Sequence, residues 1–337
     1  MRKLLLIPIL VTALCTGAIA QNAKAARIIF YNTENLFDTI DDPRTEDEEF
    51  LPGAKAQWTG ERYTIKLDHI AKVLAAMLEK NQPLVIGLAE VENRQVVCDL
   101  IARPALKKFD LGVIEHDSPD PRGIDVGLIY NKKLGTIQDT AFLTVRLPDL
   151  DKGTRDIVYV KVEVGGKAMH FFVDHWPSRR DGPAVSQVRR YAAAMVLRNK
   201  INQIEHADPH AAIVVMGDLN DNPVDSSVSF ILGAQALIEH PQTLALYDLM
   251  LRPYQEGQYS LKYKSENDVF DQFIVTGSLL DGVSTPQVTT REGHIFRQDW
   301  MLFKHPKYGE MPNRTYSGPI WHGGYSDHLP VYIDVRY

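Results

Sequence analysis

Apolar and polar positions alternate along this chain in two rhythms. Ala26–Tyr31, Leu84–Ala89 and Ile124–Tyr130 are nearly unbroken apolar runs, which predict buried strands. Val158–Val164 instead alternates apolar with charged residues, as a strand with one wet face does. Met169–Val173, Ala211–Met216, Phe270–Val275 and Val331–Val335 complete the predicted strands. The slower rhythm occurs twice. Within Gly60–Lys80, Ile70, Val73, Leu74, Met77 and Leu78 recur at helical spacing and form one apolar stripe, and Pro83 marks the turn that follows. Within Pro183–Ile204, Pro183 suits a first helical turn, and Val188, Ala192 and Met195 share a face. Strands interspersed with helices predict an α/β protein. Nothing resembling a linker divides 27–337, so residues 21–337 read as one domain.

Two stretches lack either rhythm. Asp38–Glu49 carries seven acids and one arginine, and reads as a solvated loop rather than a metal-attracting one. Residues 281–325 are rich in glycine, proline and aromatics. A long irregular loop of that kind in a compact domain is often functional.

The first twenty residues follow a different logic. Arg2 and Lys3 precede the apolar run Leu4–Cys15, and Ala18-Ile19-Ala20 forms a small-residue cleavage site before Gln21. These are the three parts of a secretory signal peptide, so export to the periplasm or the cell exterior is expected. The apolar run is too short for a membrane anchor, and Leu14 occupies the place before Cys15 where a lipobox has a small residue. Loss of residues 1–20 leaves Cys98 as the one cysteine, so no internal disulfide can form. It also moves the net charge from −6 to about −8. That acidity argues against a protein that grips nucleic acid by a broad basic surface, though not against a local phosphate site. No later stretch has the apolar length of a membrane span, and a monomer is expected.

The polar residues gather just past the strands, where ligand sites of α/β sheets lie. Tyr31-Asn32-Thr33-Glu34-Asn35 ends the first apolar run, Glu90 the second, and Gly217-Asp218-Leu219-Asn220 the sixth; Ser326-Asp327-His328 enters the last. Singly each is an ordinary turn. Together they offer hard oxygen ligands and imidazole, which suits Mg²⁺ or Mn²⁺ and not structural zinc.

In this order the motifs resemble the endonuclease/exonuclease/phosphatase superfamily, with its deoxyribonuclease I-like fold. Tyr31-Asn32 matches the opening aromatic-Asn pair, Glu90 the following acid, Gly217, Asp218 and Asn220 the G-D-x-N, and Ser326, Asp327 and His328 the closing S-D-H. Asp271 in VFDQFIV and His175 in FFVDHWPSRR match two further positions. The likeness runs from Arg27 to the C-terminus. It implies two stacked mixed β-sheets flanked by helices, a four-layer α/β sandwich, and a metal-dependent phosphodiester hydrolase. It implies Glu90 as principal metal ligand, with Asn32, Glu34 and Asp327 beside it. It implies that Asp218 and Asn220 orient the attacking water, that His328 is a general base or electrostatic partner polarised by Asp271, and that His175 faces the leaving oxygen.

Two basic elements could meet phosphate: Arg122, and Arg179-Arg180 after His175. Arg189 and Arg190, within a helix, read as ordinary solvated charges, and His69 as a surface or packing residue. Three substrate readings stay open. A nuclease acting on DNA or RNA is favoured by Trp176, Trp321 and Tyr325, which could stack bases. A phospholipid or small-molecule phosphodiesterase, sphingomyelinase-like, suits the acidity. A non-catalytic binding protein is disfavoured because no expected polar site position carries an apolar residue.

Overall fold

The computed structural model describes residues 24–337, so the expected leader and Cys15 lie outside it. The core strands are β1 (Ala25–Leu36), β2 (Gln82–Val91), β3 (Leu111–Glu115), β4 (Asp125–Asn131), β5 (Gly135–Leu143), β6 (Ile157–Val164), β7 (Lys167–His175), β8 (Ala212–Asp218), β9 (Leu246–Asp248), β10 (Asp271–Thr276) and β11 (Val331–Arg336). They form two sheets. One runs β11-β1-β2-β4-β3, with short strands beyond β11; the other runs β5-β6-β7-β8-β10-β9, with Ala234–Gln235 at its far edge. Each sheet is mixed. β1 pairs parallel with β2, and β7 with β8, while the other core pairs are antiparallel. A parallel pair needs a long crossover. The two long helices, α1 (Gly60–Met77) and α3 (Pro183–Ala207), lie in those two connections.

Strand alternation then builds four layers. Phe30, Val85 and Leu128 of the first sheet meet Phe171, Val214 and Phe273 of the second. The opposite side chains of the first sheet, Ile29, Ile86 and Ile129, pack on Ile70 and Leu74 of α1 and Leu100 of α2 (Arg94–Ile101). Phe172, Ile213 and Val215 of the second sheet pack on Ala194, Leu197 and Ile201 of α3. The central strands are thus covered on both faces, which is why they read as continuous apolar runs, while the edge strand β5 stays largely exposed. Each fully buried side chain of this size contributes about 1.5–3 kcal/mol.

Helix α1 follows the predicted stripe. It starts where the Thr59 side chain accepts the Arg62 amide, and it ends at Met77, short of Lys80. Helix α2 was not legible as a helix; the Asn93 side chain caps it by accepting the Val96 amide. Helix α3 overturns its predicted face. Val188 and Met195 are exposed, and the covered face holds Arg189, Arg190, Ala193, Ala194 and Leu197. Arg189 and Arg190 are therefore not solvated charges: ion pairs make their burial tolerable. Arg189 reaches Asp149 and Asp181, and Arg190 Nε stands 2.7 Å from Asp221 Oδ2. Residues 281–325 are less irregular than expected, holding the hairpins Leu302–His305/Gly309–Pro312 and Tyr316–Ser317/Ile320–Trp321. Among the described residues no helix is long and apolar enough to cross a membrane.

Candidate active site

Sheet register assembles one half of the site. His175 ends β7 beside Asp218 at the end of β8, and Asp218 pairs in turn with Asp271 at the start of β10. Three titratable side chains thus stand abreast at one edge. The first sheet supplies the other half. Asn32 lies in β1 next to the β2 end that carries Glu90, and a register irregularity separates Asn32 from Leu36. The Asn32 amide bridges the sheets, donating to Asp218 Oδ2 at 3.0 Å and to Glu90 Oε1 at 3.4 Å.

Backbone strain concentrates here. Seven non-glycine described residues have positive φ, and four of them are Glu34, Asn35, Glu90 and Asn220. Such conformations persist only where the surroundings fix them, and they cluster at functional sites. The fixing contacts are present. Glu34 N donates to Asn32 Oδ1, Asn35 N to Glu90 Oε2, and Asn220 N to Asp218 Oδ1, each at 2.9 Å.

His328 enters from the loop before β11. Its Nδ1 lies 2.8 Å from Asp271 Oδ2 and its Nε2 lies 3.7 Å from Asp218 Oδ2. Burial works against the charged ring, but Asp271, Asp218 and Asp327 outweigh it and hold His328 well above the ordinary histidine range. His175 is its opposite. Burial, then the charges of Arg155, Arg122 and His328, hold it well below that range. Its Nε2 is 3.7 Å from Asp218 and 3.9 Å from Glu90, while its buried Nδ1 has no hydrogen-bond partner among the described residues. Burial raises Asp218 to about 6. Two histidines pushed apart in opposite directions around one carboxylate form a constellation able to move protons.

The acids divide into two settings. Glu90 keeps contact with solvent, whereas Glu34 is buried and pushed up to about 7 by that burial and by Asp327. Glu34 accepts the Thr315 amide at 2.6 Å, and the buried ammonium of Lys66 stands 3.8 Å away. Burial lifts Asp327, but His328 and Arg314 outweigh it and its carboxyl stays low. Arg314 Nη2 lies 2.5 Å from Asp327 and its Nε lies 3.8 Å from Glu34. Lys66 and Arg314 escaped sequence reasoning, one a lysine set on the buried face of α1 in line with Ile70, the other in an aperiodic loop. Arg155 did too. It precedes β6, donates to Asp120 at 2.9 Å and to the Trp176 carbonyl at 2.7 Å, and carries its charge toward His175.

The two arginines expected to meet phosphate part company. Arg122 is partly exposed, 3.4 Å from Asp120, and its charge is felt at His175. Arg179 is turned inward. Its fork is taken up by the Asn220 carbonyl, Asp221 and Asp225, and it lies over the Phe270 ring. It braces the loop after β8 and has few donors left for a phosphate. The aromatics also part. Trp176 and Tyr325 are buried and cannot stack a base, while Trp321 is half-buried on the hairpin that follows Thr315.

One glycine is dictated by this packing. A Cβ on Gly217 would stand 2.4 Å from the Asp174 carbonyl oxygen. Gly217→Ala should therefore force β8 from β7, lowering stability by about 1–3 kcal/mol, readable in a urea melt.

Known proteins agree with this architecture. The model of the Endonuclease/Exonuclease/phosphatase family matches residues 27–337. An endonuclease/exonuclease/phosphatase family protein from Bacteroides thetaiotaomicron is 12% identical with a TM-score of 0.56, over 94% of this chain and 96% of that one. A mannosyl-6-phosphatase of the same species is 11% identical with a TM-score of 0.56, over 93% and 100%. D. rerio TDP2, complexed with single strand DNA product, is 16% identical with a TM-score of 0.54, over 93% and 99%. No curated protein matches by sequence. Family model, four-layer fold and the residues gathered at the sheet ends lead to one statement: this chain belongs to the Endonuclease/Exonuclease/phosphatase family, whose members are phosphodiester hydrolases.

Proposed function

We propose that the chain is an exported, divalent-metal-dependent phosphodiesterase that acts on nucleic acid as a monomer. The observation that carries the chemistry is the convergence of His328, backed by Asp271, and His175 on Asp218, beside Glu90. Asp218, raised toward neutrality, accepts a proton from an attacking water that Asn220 helps to orient. Charged His328 stabilises the negative charge that builds on phosphorus-bound oxygen, which favours the electrostatic role over the general base. Neutral His175 faces the leaving oxygen, and Arg122 offers its guanidinium to the phosphate.

Magnesium or manganese fits the donors present. Such an ion takes one or two carboxylates and keeps several waters, so it needs no tight acidic cage. Glu90, the acid of this group that keeps contact with solvent while standing near Asn32 and His175, would hold it, with Asn32, Glu34 and Asp327 alongside. When bound, the ion neutralises phosphate charge and stabilises the leaving oxygen.

The nucleic-acid reading draws on the Tyr316–Trp321 hairpin. It lies next to Thr315, whose amide meets Glu34, and Arg62 stands 5.1 Å over the Trp321 ring. A second reading, a small phosphomonoester or phosphodiester, is favoured by a cleft of about 430 Å³ lined by Asp42, Glu92, Asp117, Asp120 and Asp125, which would repel a polyanion. With Mg²⁺ the purified protein should degrade plasmid DNA or RNA, and EDTA should abolish this. Turnover of sugar phosphates or bis-phosphoesters alone would transfer the assignment to the second reading. No metal-dependent turnover across that panel would sink both. Export rests on the Arg2-Lys3, Leu4–Cys15 and Ala18-Ile19-Ala20 pattern. Mass spectrometry of the secreted protein should find Gln21 as its first residue.

A further inference from the structure

We propose that Glu115, Asp117 and Asp125 bind a calcium-sized divalent cation, with a ligand set separate from the phosphate-site acids, and that this ion fixes the loop joining β3 to β4. The three side chains each offer an oxygen, and these oxygens lie within 4.8 Å of one another. Calcium binds oxygens at about 2.3–2.6 Å, so two ligands across the ion stand roughly 5 Å apart. The chain places these acids at both ends of the loop: Glu115 closes β3, Asp125 opens β4, and Asp117 follows Glu115 by two residues.

The second observation is an orphaned ligand. Glu115 is 9% exposed, and its Oε1 is buried with no hydrogen-bond partner among the described residues. An unpaired buried carboxylate oxygen is costly, and a cation removes the cost. Neighbouring arginines do not replace it. Arg44 is exposed, shared with Asp42, and 3.3 Å from Asp117; Arg94 donates to the Val113 carbonyl. Asp125 gives one oxygen to the Ser118 amide. Burial, reinforced by the like charges around them, raises Glu115 to about 8 and Asp125 to about 7.

The loop so held carries Asp120 and Arg122. Asp120 holds Arg155, which in turn holds the Trp176 carbonyl next to His175. An ion there would be a positioning element.

Calorimetric titration of the full chain with CaCl₂ tests this, run also on Glu90→Gln to remove the principal phosphate-site ligand. One calcium per chain is expected in both proteins. Asp125→Asn should weaken it at least ~10-fold. Asp117→Asn should do the same and is the safer variant, because that side chain is 55% exposed. Calcium should raise the melting midpoint of wild type and not of Asp117→Asn. Absence of calcium binding, its loss in Glu90→Gln, its persistence in both aspartate variants, or uptake of magnesium with calcium excluded would overturn the proposal.

Discussion

Replacing His328 with alanine is expected to lower turnover at least ~10²-fold, the usual loss when a group aimed at developing transition-state charge is removed. Among the described residues His328 is the one side chain that touches Asp271 and also faces Asp218 and Asp327. In the proposed chemistry its charge sits where negative charge develops, and the neighbouring cations are engaged elsewhere. Lys66 is committed to Thr315 and the Tyr325 carbonyl, and Arg314 to Asp327. Alanine also strips a fully buried Asp271 of its partner, so part of the loss could come from unfolding. His328→Asn separates the two effects. Its amide nitrogen stands where the ring Nδ1 stood and can still donate to Asp271, yet it carries neither charge nor a transferable proton. Both variants should lose kcat with little change in KM, the signature of an interaction made in the transition state. Turnover by His328→Asn within a few-fold of wild type would remove His328 from the chemistry.

The largest structural effect is expected at Asp221. One carboxylate serves two arginines there: Arg179 at 2.7 Å from Oδ1 and Arg190 at 2.7 Å from Oδ2, with the Ser227 hydroxyl also donating. Arg190 is 1% exposed, and its other partners, Ser186 and the Pro177 and Pro183 carbonyls, are all neutral. Asp221→Asn leaves that guanidinium buried without an anion. Breaking a buried pair in this way costs about 3–5 kcal/mol, a large part of the roughly 5–15 kcal/mol that holds a domain folded. Arg190→Met should cost less, because Asp221 keeps Arg179 and the methionine stem fills much of the space. Urea denaturation checks both. The midpoint should fall sharply for Asp221→Asn with the slope unchanged. Equal midpoints for the two variants would show that Asp221 is not the shared anchor.

What the sequence made legible follows from what each residue must touch. Asn32, Glu90 and Asp218 stand out because apolar runs end abruptly in them, while Asp271, which opens its strand, came only with the resemblance; sheet geometry does bring these residues together. The strands themselves stood out because the central ones, β1, β2, β4 and β8, are covered on both sides and have no polar face, whereas their stacking into a sandwich came only with the resemblance. Helix α3 misled for the converse reason. Its inner face is built from arginines whose partners, Asp149, Asp181 and Asp221, lie 8 to 40 residues away in sequence. Periodicity cannot register a partner at that distance, so Val188 and Met195 were read as core. Arg155, Lys66 and Arg314 were lost in the same way. Nothing beside them in sequence announces Asp120, Glu34 or Asp327. Trp176 looked like a stacking surface because its burial depends on α3, which begins seven residues later.

The last core strand to be made, β11, pairs antiparallel with the first, β1, and His328 lies just before it. The order of synthesis therefore sets a delay on the chemistry. Asn32, Glu90, His175 and Asp218 are made earlier, but they face no His328–Asp271 pair until the residues near 330 have cleared the ribosome and zipped onto β1. A chain held part-way through synthesis carries the early acids without His328, and the site is complete only once the final strand has docked.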